Sequence, residues 1–386
     1  MDKLRLEIIR TEENFSALKN SWNLLLSVSN NNHITSTWEW QSVWWQVYKQ
    51  GKNLCIFTYY LDDKLVGIIP LFSRINSRKF HFFRFKTIEL LASGEIPGEQ
   101  IHSDYIGPII KSGLESRVIQ QSIQDLKSDK TLEWDKIILP DVSMNLPEVA
   151  YLKKYSSSCN LHFRIVHQQD TIIARLSNSF DDFLNNLGKN LRYQLRKGLK
   201  ELQKLGAEFI EVKDEEELEH AFNILIDLHQ KRWKSKGKPG AFHSVNFTRF
   251  HKELAKNLLK NNRLQFVLLK LNEKYLGAIY NFKYHNRIYF YQSGILTYSK
   301  NKHIRPGNLL HAYCIRKGIE ENYKYYDFLK IGKNTYKHQW GKPLDTLVEI
   351  RIAKKNFYYR LYLMYNFCYE FLRSMKHTIE RKFNID

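Results

Sequence analysis

Two apolar runs separated by a short polar turn occur in each half of the chain. In the first half, LCIFTYYLDDKLVGIIPLFSR has its turn at residues 62–64, and in the second half LQFVLLKLNEKYLGAIYNF has its turn at residues 272–274. Apolar runs around such a turn are typical of a β-hairpin. Gly67 and Gly277 follow the turns within the returning strands, where glycine often marks a bulge or a close backbone approach. The pattern predicts two related domains, with a chance likeness between common hairpins as the alternative.

The rest of the pattern predicts an α+β fold. Apolar segments indicate further strands at residues 85–92 and 136–140, and a helix between residues 114 and 126. We therefore expect two tandem domains, each a mixed, twisted β-sheet flanked by helices.

Changes of composition mark two boundaries. A serine run before the apolar TIIARL indicates one boundary between residues 155 and 175, so we expect domains at residues 1–165 and 166–348. In residues 349–386, apolar side chains recur at helical spacing beside lysines and arginines, which predicts a basic amphipathic C-terminal helix. That helix either packs against the preceding domain or docks on an anionic membrane.

The segment from Phe180 to Leu205 has the two faces of one amphipathic helix. At about 100° per residue its leucines fall on one side, and basic residues fall opposite, among them Arg192 and Arg196. Such a face is either solvated or binds phosphate groups, for which the planar fork of arginine is suited.

Another predicted helix ends near Trp233 and leads into a loop rich in lysine and glycine. Glycine and proline end the helix and leave Lys234, Lys236 and Lys238 exposed. The loop either holds an anionic substrate or maintains solubility.

The segment IRPGNLLHAYCIRKGIEE combines a Pro-Gly turn with an apolar helical pattern. A helix that opens on a glycine turn directs free N–H groups and the positive end of its dipole at whatever precedes it, which suits a pyrophosphate. A plain helix start is the alternative. Further on, a short strand at residues 325–329 leads to Gly332 and then to residues 336–340 at the end of a sheet, where reactive side chains are often placed.

Composition limits the class of protein. The 386 residues include 43% hydrophobic and 14% aromatic side chains, as in an ordered globular protein. The net charge of +20 predicts attraction to an anionic partner. The four cysteines are far apart, and neither a metal motif nor a signal peptide is evident. We expect a cytoplasmic protein without a metal, or one peripheral to the inner face of the membrane.

In order and spacing, segments of the chain resemble the CelD-like (BioF-CelD-type) acetyltransferase domain of the GNAT superfamily, which is related to the Fem-type tandem-GNAT transferases. The likeness extends over residues 20–345. It is carried by FTYYLDDKLVGIIPLF and IHSDYIGPI in the first half, and in the second by FDDFLNNLGKNLRYQLRKGLKEL, LHQKRWKSKG, LQFVLLKLNEKYLGAIYNFKYHNRIYFYQSGI, IRPGNLLHAYCIRKGIE and YYDFLKIGKNTYKHQW.

The resemblance implies a sheet that parts to receive an acyl thioester, with the donor phosphates at a helix start. Carried onto this sequence, Gly307 and Asn308 lie at that start and Arg305 contacts phosphate. The single glycine of IRPGN departs from the Q/RxxGxG/A loop of simpler GNAT enzymes. Attack by an amine or a hydroxyl on the acyl carbonyl needs a base and an acid. The residues expected to serve are Asp327 or His311 as base, Tyr336 as acid, and Lys337 on developing negative charge or phosphate.

The leading hypothesis is an N-acyltransferase that uses acetyl-CoA or another acyl-CoA. Its acceptor would be a small molecule or a glycan precursor, such as an amino sugar for a surface polysaccharide, bound by Arg192, Arg196, Trp233 and Trp340. One alternative is Fem-like transfer from a charged tRNA to a cell-wall precursor, which the net charge favours. The other is a non-catalytic basic protein that binds nucleic acid or membrane.

Overall fold

The computed structural model describes residues 3–77, 84–129, 131–298, 301–332 and 335–355, with Met364 and Met375. The helices are α1 (Glu12–Ala17), α2 (Lys19–Ser27), α3 (Trp38–Tyr48), α4 (Glu115–Ser128), α5 (Pro147–Ser158), α6 (Phe180–Asn185), α7 (Lys189–Lys204), α8 (Glu215–Lys234), α9 (Val245–Lys260) and α10 (Pro306–Glu320). The strands are β1 (Arg5–Ile9), β2 (Asn53–Leu54), β3 (Ile56–Leu61), β4 (Lys64–Ile69), β5 (Leu71–Ser77), β6 (Arg84–Leu90), β7 (Ile109–Ile110), β8 (Lys136–Ser143), β9 (Leu161–Arg175), β10 (Glu208–Glu211), β11 (Leu264–Leu271), β12 (Lys274–Tyr284), β13 (Arg287–Ile295), β14 (Tyr325–Lys330) and β15 (Lys342–Lys354).

Within these residues the strands form two sheets. The larger has eleven strands in the order β10-β11-β12-β13-β14-β9-β15-β8-β6-β5-β2, and the smaller has the order β1-β3-β4-β7. Most neighbours are antiparallel, whereas β13 with β14 and β6 with β8 are parallel. The predicted α+β class with mixed sheets is therefore confirmed.

Strand β15 joins the two halves of the chain. It pairs with β9 on one side and with β8 on the other, so strands from both halves share one sheet. The predicted division after residue 165 lies inside β9. Residues 349–354, expected to begin the basic helix, are instead the end of β15, where alternate apolar side chains are buried between neighbouring strands. The remainder of that predicted helix lies outside the described residues, apart from the two methionines.

The two hairpins noted in the sequence correspond closely. In β3–β4 the pairing shifts between Tyr59 and Tyr60, and in β11–β12 it shifts between Leu269 and Lys270. The glycine in the second strand of each hairpin faces a helix. A Cβ added at Gly67 would lie 2.7 Å from Val118 of α4, and one added at Gly277 would lie 2.7 Å from Leu310 of α10, too close for any side chain at these positions. Because each glycine permits a helix to approach its sheet, the halves repeat one strand–strand–helix plan.

The helix expected over residues 180–205 is two helices. α6 ends at Asn185 and α7 begins at Lys189, with Gly188 as its N-cap in an extended conformation. The leucine pattern continues across the break because Leu184, Leu187 and Leu191 are all buried, and this continuity concealed the interruption. By contrast, the predicted helix end near Trp233 is confirmed by α8.

Helices cover both faces of the second half of the large sheet. Side chains of β12 alternate between faces, so that Ile279 packs in one apolar cluster with α7 and α10, while Tyr280 packs in the other with α8 and α9. Of the helices described, none combines the length and the apolar character needed to cross a membrane.

Candidate active site

Strands β13 and β14 run side by side and then separate. Their parallel pairing ends at Tyr289 and Asp327, three residue pairs in all, although β13 continues to Ile295 and β14 to Lys330. Each strand keeps its other neighbour beyond that point, because β13 stays paired with β12 and β14 meets β9 again at Lys330. The sheet therefore contains a gap between the two strands, which we call the strand gap.

Backbone irregularities lie on both sides of the strand gap. In β13 the register with β12 shifts so that Tyr291 is left without a pairing partner. In β14, Leu329 has a φ of 59°, and the pairing with β9 shifts between Asp327 and Lys330. A non-glycine residue in the left-handed region costs about 1–3 kcal/mol and is commonest at functional sites. These distortions turn backbone groups away from regular pairing beside the gap.

Lys337 extends into the strand gap from the short 3₁₀ turn at Tyr336–Gln339. Its Nζ donates a hydrogen bond of 2.7 Å to the carbonyl of Phe328 and lies 5.3 Å from the ring centroid of Phe290. Burial lowers the pKa of Lys337 to about 8, although Asp104 and Asp327 oppose that shift. The ammonium can therefore lose or keep its proton near neutral pH.

The strand gap opens into a cavity of about 650 Å³, which both halves of the chain line. We call it the main cavity. The second half contributes Lys337, Trp233 and Lys238, and the first half contributes Asp104 and the loop before it. A volume of this size is typical of small-molecule sites.

Asp104 is a buried carboxyl in the wall of the main cavity. It accepts a hydrogen bond of 2.6 Å from the backbone N–H of Lys330, and its other oxygen lies 3.3 Å from Lys330 Nζ. Burial raises the pKa of Asp104 to about 6 against the opposing charge of Lys330. The flanking His102 and Tyr105 both have positive φ, 46° and 67°, so tertiary contacts must hold this loop in place. Asp104 makes such contacts with Lys330, whose Nζ also lies 2.6 Å from Asp141.

Asp327 lies beneath the strand gap and connects the halves. Oδ2 accepts from Tyr105 Oη at 2.8 Å and from Arg287 Nη1 at 2.7 Å, while Oδ1 accepts from the N–H of Leu329 at 2.7 Å. The residue is fully buried. With three donors on two oxygens, Asp327 is placed to anchor the loop of Asp104 and the bend of β14, and is poorly placed to take a proton from a substrate.

We expect Asp327→Asn to lower the free energy of unfolding by about 3–5 kcal/mol, because Arg287 would remain buried without its carboxylate. Tyr105→Phe removes one hydrogen bond and should cost about 1 kcal/mol. Urea unfolding of the two variants measures both effects. A loss for the Asp327 variant no larger than that for the Tyr105 variant would contradict the anchoring role.

The start of α10 lies at the far end of β13. The N-cap, Arg305, makes no side-chain capping bond, and the first turn holds no acidic residue. Gly307 and Asn308 are partly exposed, and a Cβ on Gly307 would lie 3.6 Å from Ile295, the last residue of β13. The helix start does not line the main cavity itself. It presents N–H groups and the positive end of the helix dipole beside the open end of the gap.

Comparison with protein families identifies this region. The family described as "Acetyltransferase (GNAT) domain" matches residues 189–338, which contain β13, α10, β14 and Lys337. Residues 189–338 therefore match a GNAT acetyltransferase domain. The protein is accordingly a transferase with a GNAT-type domain, and the comparison with curated proteins found no match.

Solved structures resemble the complete fold at low sequence identity. A structure of FemX is 12% identical, with a TM-score of 0.60 over 93% of this chain and 99% of that one. A conserved protein of unknown function from Bacteroides thetaiotaomicron is 12% identical, with a TM-score of 0.54 over 91% of this chain and 100% of that one. These likenesses show that both halves of the chain, together with their shared sheet, form a known architecture.

Within the GNAT domain, His311 and Tyr336 are in contact. His311 Nε2 lies 3.1 Å from Tyr336 Oη, and Nδ1 lies 3.0 Å from Tyr326 Oη. Burial lowers the pKa of His311 to about 3 and raises that of Tyr336 to about 12. Near neutral pH the imidazole is therefore neutral and the phenol keeps its proton, so His311 is a poor base but can orient the hydroxyl.

The four residues predicted to bind the acceptor are not together. Trp233 lines the main cavity, whereas Trp340 lines a different one. Arg192 and Arg196 instead bond to Asn185, at 2.8 Å to its carbonyl and 3.1 Å to its side chain, and so bridge α6 and α7. Binding of an acceptor by these arginines stays a prediction.

Two residues that the sequence did not single out complete the wall of the main cavity. Asp104 and Lys330 come from segments 226 residues apart, and neither belongs to a recognisable catalytic motif. The segment IHSDYIGPI was noted for its resemblance to the family. Its positive φ values at His102 and Tyr105 and the burial of Asp104 against β14 arise from tertiary contacts, which a local sequence pattern does not reveal.

Proposed function

We propose that the protein transfers an acyl group from an acyl-CoA to an amine acceptor bound in the main cavity. The observation that carries this proposal is the position of Lys337, a partly buried lysine that lies between two separated strands and lines the cavity. A thioester lying in the strand gap would place its carbonyl near the ammonium, and the acceptor would approach from the cavity.

The donor is assigned to the second half of the chain. Its phosphates would bind the open N–H groups at Gly307 and Asn308, with Arg305 beside them. The corresponding helix in the first half, α4, is closed: Glu115 accepts from the N–H of Gly113 at 2.9 Å and from Asn30 Nδ2 at 2.8 Å. A carboxylate in that place repels phosphate, so one donor per chain is expected.

Asp104 and Lys337 have different roles in the reaction: Asp104 takes up a proton, and Lys337 stabilises negative charge. Asp104 accepts a proton from the acceptor ammonium, and the freed nitrogen lone pair attacks the acyl carbon. The carbonyl π electrons move to oxygen, and the Lys337 ammonium stabilises that oxyanion. When the oxyanion collapses, the C–S bond breaks and the electron pair leaves with sulfur. As the C–S bond breaks, the nitrogen releases its second proton to solvent water, which leaves a neutral amide.

Tyr336 returns a proton to the departing thiolate. Its hydroxyl is held by His311 Nε2, and it precedes Lys337 in the same 3₁₀ turn. Since the tyrosine pKa is near 12, the proton stays on oxygen until a strong base forms nearby, and the ammonium of Lys337 can then reprotonate the phenolate. His311 serves here as a positioning residue.

The acceptor is a small molecule or the end of a glycan precursor. A cavity of about 650 Å³ can enclose one or two sugar rings, and Trp233, Phe290 and Tyr291 provide aromatic walls for them. An amino sugar used in a surface polysaccharide fits these dimensions and supplies the amine.

The second candidate is transfer of an aminoacyl group from a charged tRNA. It is favoured by the net charge of +20 and by the exposed basic side chains of α7, which approaches the loop before α10 where Gly198 faces the carbonyl of His303. A polyanionic donor would extend from the strand gap along this helix.

Thermal-shift titration separates the donors. With acetyl-CoA we expect saturable stabilisation, since a ligand that binds the native state raises its stability. Charged tRNA, uncharged tRNA and anionic vesicles serve as parallel arms. Stabilisation by charged tRNA without any response to acetyl-CoA would favour the second candidate. Stabilisation by vesicles or RNA alone, unchanged by Lys337→Ala, would contradict both transferase proposals.

A further inference from the structure

Buried polar side chains continue from Tyr336 into the core of the GNAT domain. His311 Nε2 lies 3.1 Å from Tyr336 Oη, and His311 Nδ1 lies 3.0 Å from Tyr326 Oη. On the neighbouring strands, Asn281 of β12 and Gln265 of β11 are paired and joined by a hydrogen bond of 2.8 Å. Tyr326 and Asn281 are completely buried, and His311 and Gln265 are nearly so. We call His311, Tyr326, Asn281 and Gln265 the core network.

The neutral ring of His311 can carry its proton on either of two nitrogens. Burial lowers the pKa of His311 to about 3, so near neutral pH one ring nitrogen donates and the other accepts. If Nδ1 carried the proton, Tyr326 would accept it, and Tyr336 would donate its own proton to Nε2. If Nε2 carries the proton, both bonds reverse, and the hydroxyl proton of Tyr336 is left free. The two forms therefore differ in whether Tyr336 can act as an acid without first breaking a bond.

The orientation of Gln265 determines that of Asn281. Gln265 Nε2 donates to the carbonyl of Cys314 at 3.2 Å, so Gln265 Oε1 is left to accept from Asn281 Nδ2. Burial raises the pKa of Tyr326, and the side chain of Asn281 opposes this shift, as a donor to the phenol oxygen does. Asn281 Oδ1 has no hydrogen-bond partner among the described residues. Asn281 therefore does not accept the hydroxyl proton of Tyr326.

The hydroxyl of Tyr326 then decides the form of His311. Among the residues that the structure describes, the acceptor within reach of this hydroxyl is His311 Nδ1. A buried donor left without an acceptor is costly and rare in folded proteins, so Nδ1 is unprotonated and the ring proton lies on Nε2. His311 thus donates to Tyr336 across the 3.1 Å contact. The proton of Tyr336 itself has no acceptor in the described part of the chain.

We propose that Tyr326 is a positioning residue that holds His311 in its Nε2–H form and so leaves the proton of Tyr336 free for the departing thiolate. The inference rests on the proposed function, in which Tyr336 is the acid. When the Tyr336 O–H bond breaks, its proton goes to sulfur and its electron pair stays on the phenolate oxygen. The Nε2–H of His311 then donates to that phenolate, and a hydrogen bond to an ionised acceptor is stronger than one to a neutral acceptor.

The position of the His311 proton can be measured without any substrate. In long-range ¹H–¹⁵N spectra of the full chain with labelled histidine, the shifts of the two ring nitrogens distinguish the two forms, and His311→Asn assigns the signals. Near neutral pH we expect the proton on Nε2. In Tyr326→Phe we expect a population with the proton on Nδ1, because the donor to Nδ1 is lost. A proton on Nδ1 in the unmodified chain would overturn the proposal.

The matched control is Tyr313→Phe. Tyr313 belongs to α10, as His311 does, but its hydroxyl donates to Glu211 at 2.7 Å. The control therefore removes one tyrosine hydroxyl bond from the same helix without touching the core network, and His311 should keep its Nε2–H form. A change of form in this variant equal to that in Tyr326→Phe would contradict a specific role for Tyr326.

Acetyl transfer tests whether the positioning acts through Tyr336. Tyr326→Phe should lower kcat by roughly tenfold, less than the loss of about 10²–10⁴-fold for removing an acid outright, and the Michaelis constant for acetyl-CoA should not change. In the Tyr336→Phe background, Tyr326→Phe should have no further effect on kcat, because the two residues act on one proton. Tyr313→Phe should leave kcat unchanged.

The kinetic outcomes separate this inference from the proposed function. An equal fall in kcat on Tyr326→Phe in both backgrounds would overturn the inference, since it would show an effect on the fold that is independent of Tyr336. Absence of acetyl transfer by the unmodified chain would instead refute the proposed function. In that case the His311 spectra alone would decide whether Tyr326 fixes the Nε2–H form.

Discussion

Lys337→Ala will lower kcat/KM for acetyl transfer by about 10²–10³-fold, the usual cost of losing one preorganised group at a developing oxyanion. The ammonium lies in the strand gap, where burial removes competing water and strengthens its effect on the carbonyl. Initial rates of thiol release from acetyl-CoA measure the change. The Michaelis constant for acetyl-CoA should change little, because the ammonium acts mainly on the transition state.

The matched control for this variant is Lys324→Ala. Lys324 is exposed and immediately precedes β14, away from the main cavity, so its removal should leave kcat/KM unchanged. Unfolding curves for both variants show whether the fold is kept. If Lys337→Ala kept most of the activity in a folded protein, the role assigned to this ammonium would be wrong.

Asp104→Asn will lower kcat/KM by about 10²–10⁴-fold, the range for loss of a general base. The amide retains the shape of the carboxyl but cannot accept the proton of the acceptor. Asp141→Asn is the control: Asp141 contacts the same Lys330 ammonium at 2.6 Å, yet it does not line the main cavity. If both variants lost activity equally, the effect would arise from the ion pair with Lys330, and a base role for Asp104 would be contradicted.

The same assignment predicts the pH dependence of kcat/KM. The Asp104 carboxyl must be ionised, so activity should rise as pH passes about 6. The Lys337 amine must be protonated, so activity should fall as pH passes about 8. Lys337→Arg should move the falling limb to higher pH, because arginine keeps its proton there. A profile whose falling limb stayed in place in that variant would show that another group controls it.

Local sequence patterns predicted the elements whose signals lie within a few residues. The hairpins around residues 62–64 and 272–274 and the helix starting near Pro306 are confirmed, because turn polarity and apolar spacing determine such elements locally. Gly67 and Gly277 were noted as sites of close approach, and each faces a helix. The break at Gly188 was missed since the leucine spacing continues through it.

The shared sheet could not be derived from local pattern. β15 pairs with β9 and β8, which precede it by more than 160 residues, and periodicity carries no information about the partner of a strand. The predicted boundary relied on a serine run, which ends α5, whereas residue 165 itself lies within the long strand β9. A helix was expected from residue 349 because apolar side chains recur at helical spacing in the tail beside lysines and arginines, but residues 349–354 complete β15.

The candidate site shows the same limit. Lys337, Tyr336 and His311 were singled out, and the structure puts Tyr336 in contact with His311 and Lys337 in contact with Phe328. Asp104 was not singled out, because an isolated aspartate in a loop is usually solvated. Asp104 is buried against β14, on the other half of the chain, and this burial raises its pKa despite the opposing charge of Lys330.

The central claim is that the donor thioester lies in the strand gap with its carbonyl at Lys337. A crystal structure with a non-transferable acetyl-CoA analogue, in which the thioester is replaced by a ketone, tests it most directly. We expect the carbonyl oxygen within about 3 Å of Lys337 Nζ and the diphosphate at the N–H groups of Gly307 and Asn308. An analogue bound outside the gap, with Lys337 still bonded to Phe328 and remote from the ligand, would contradict the account.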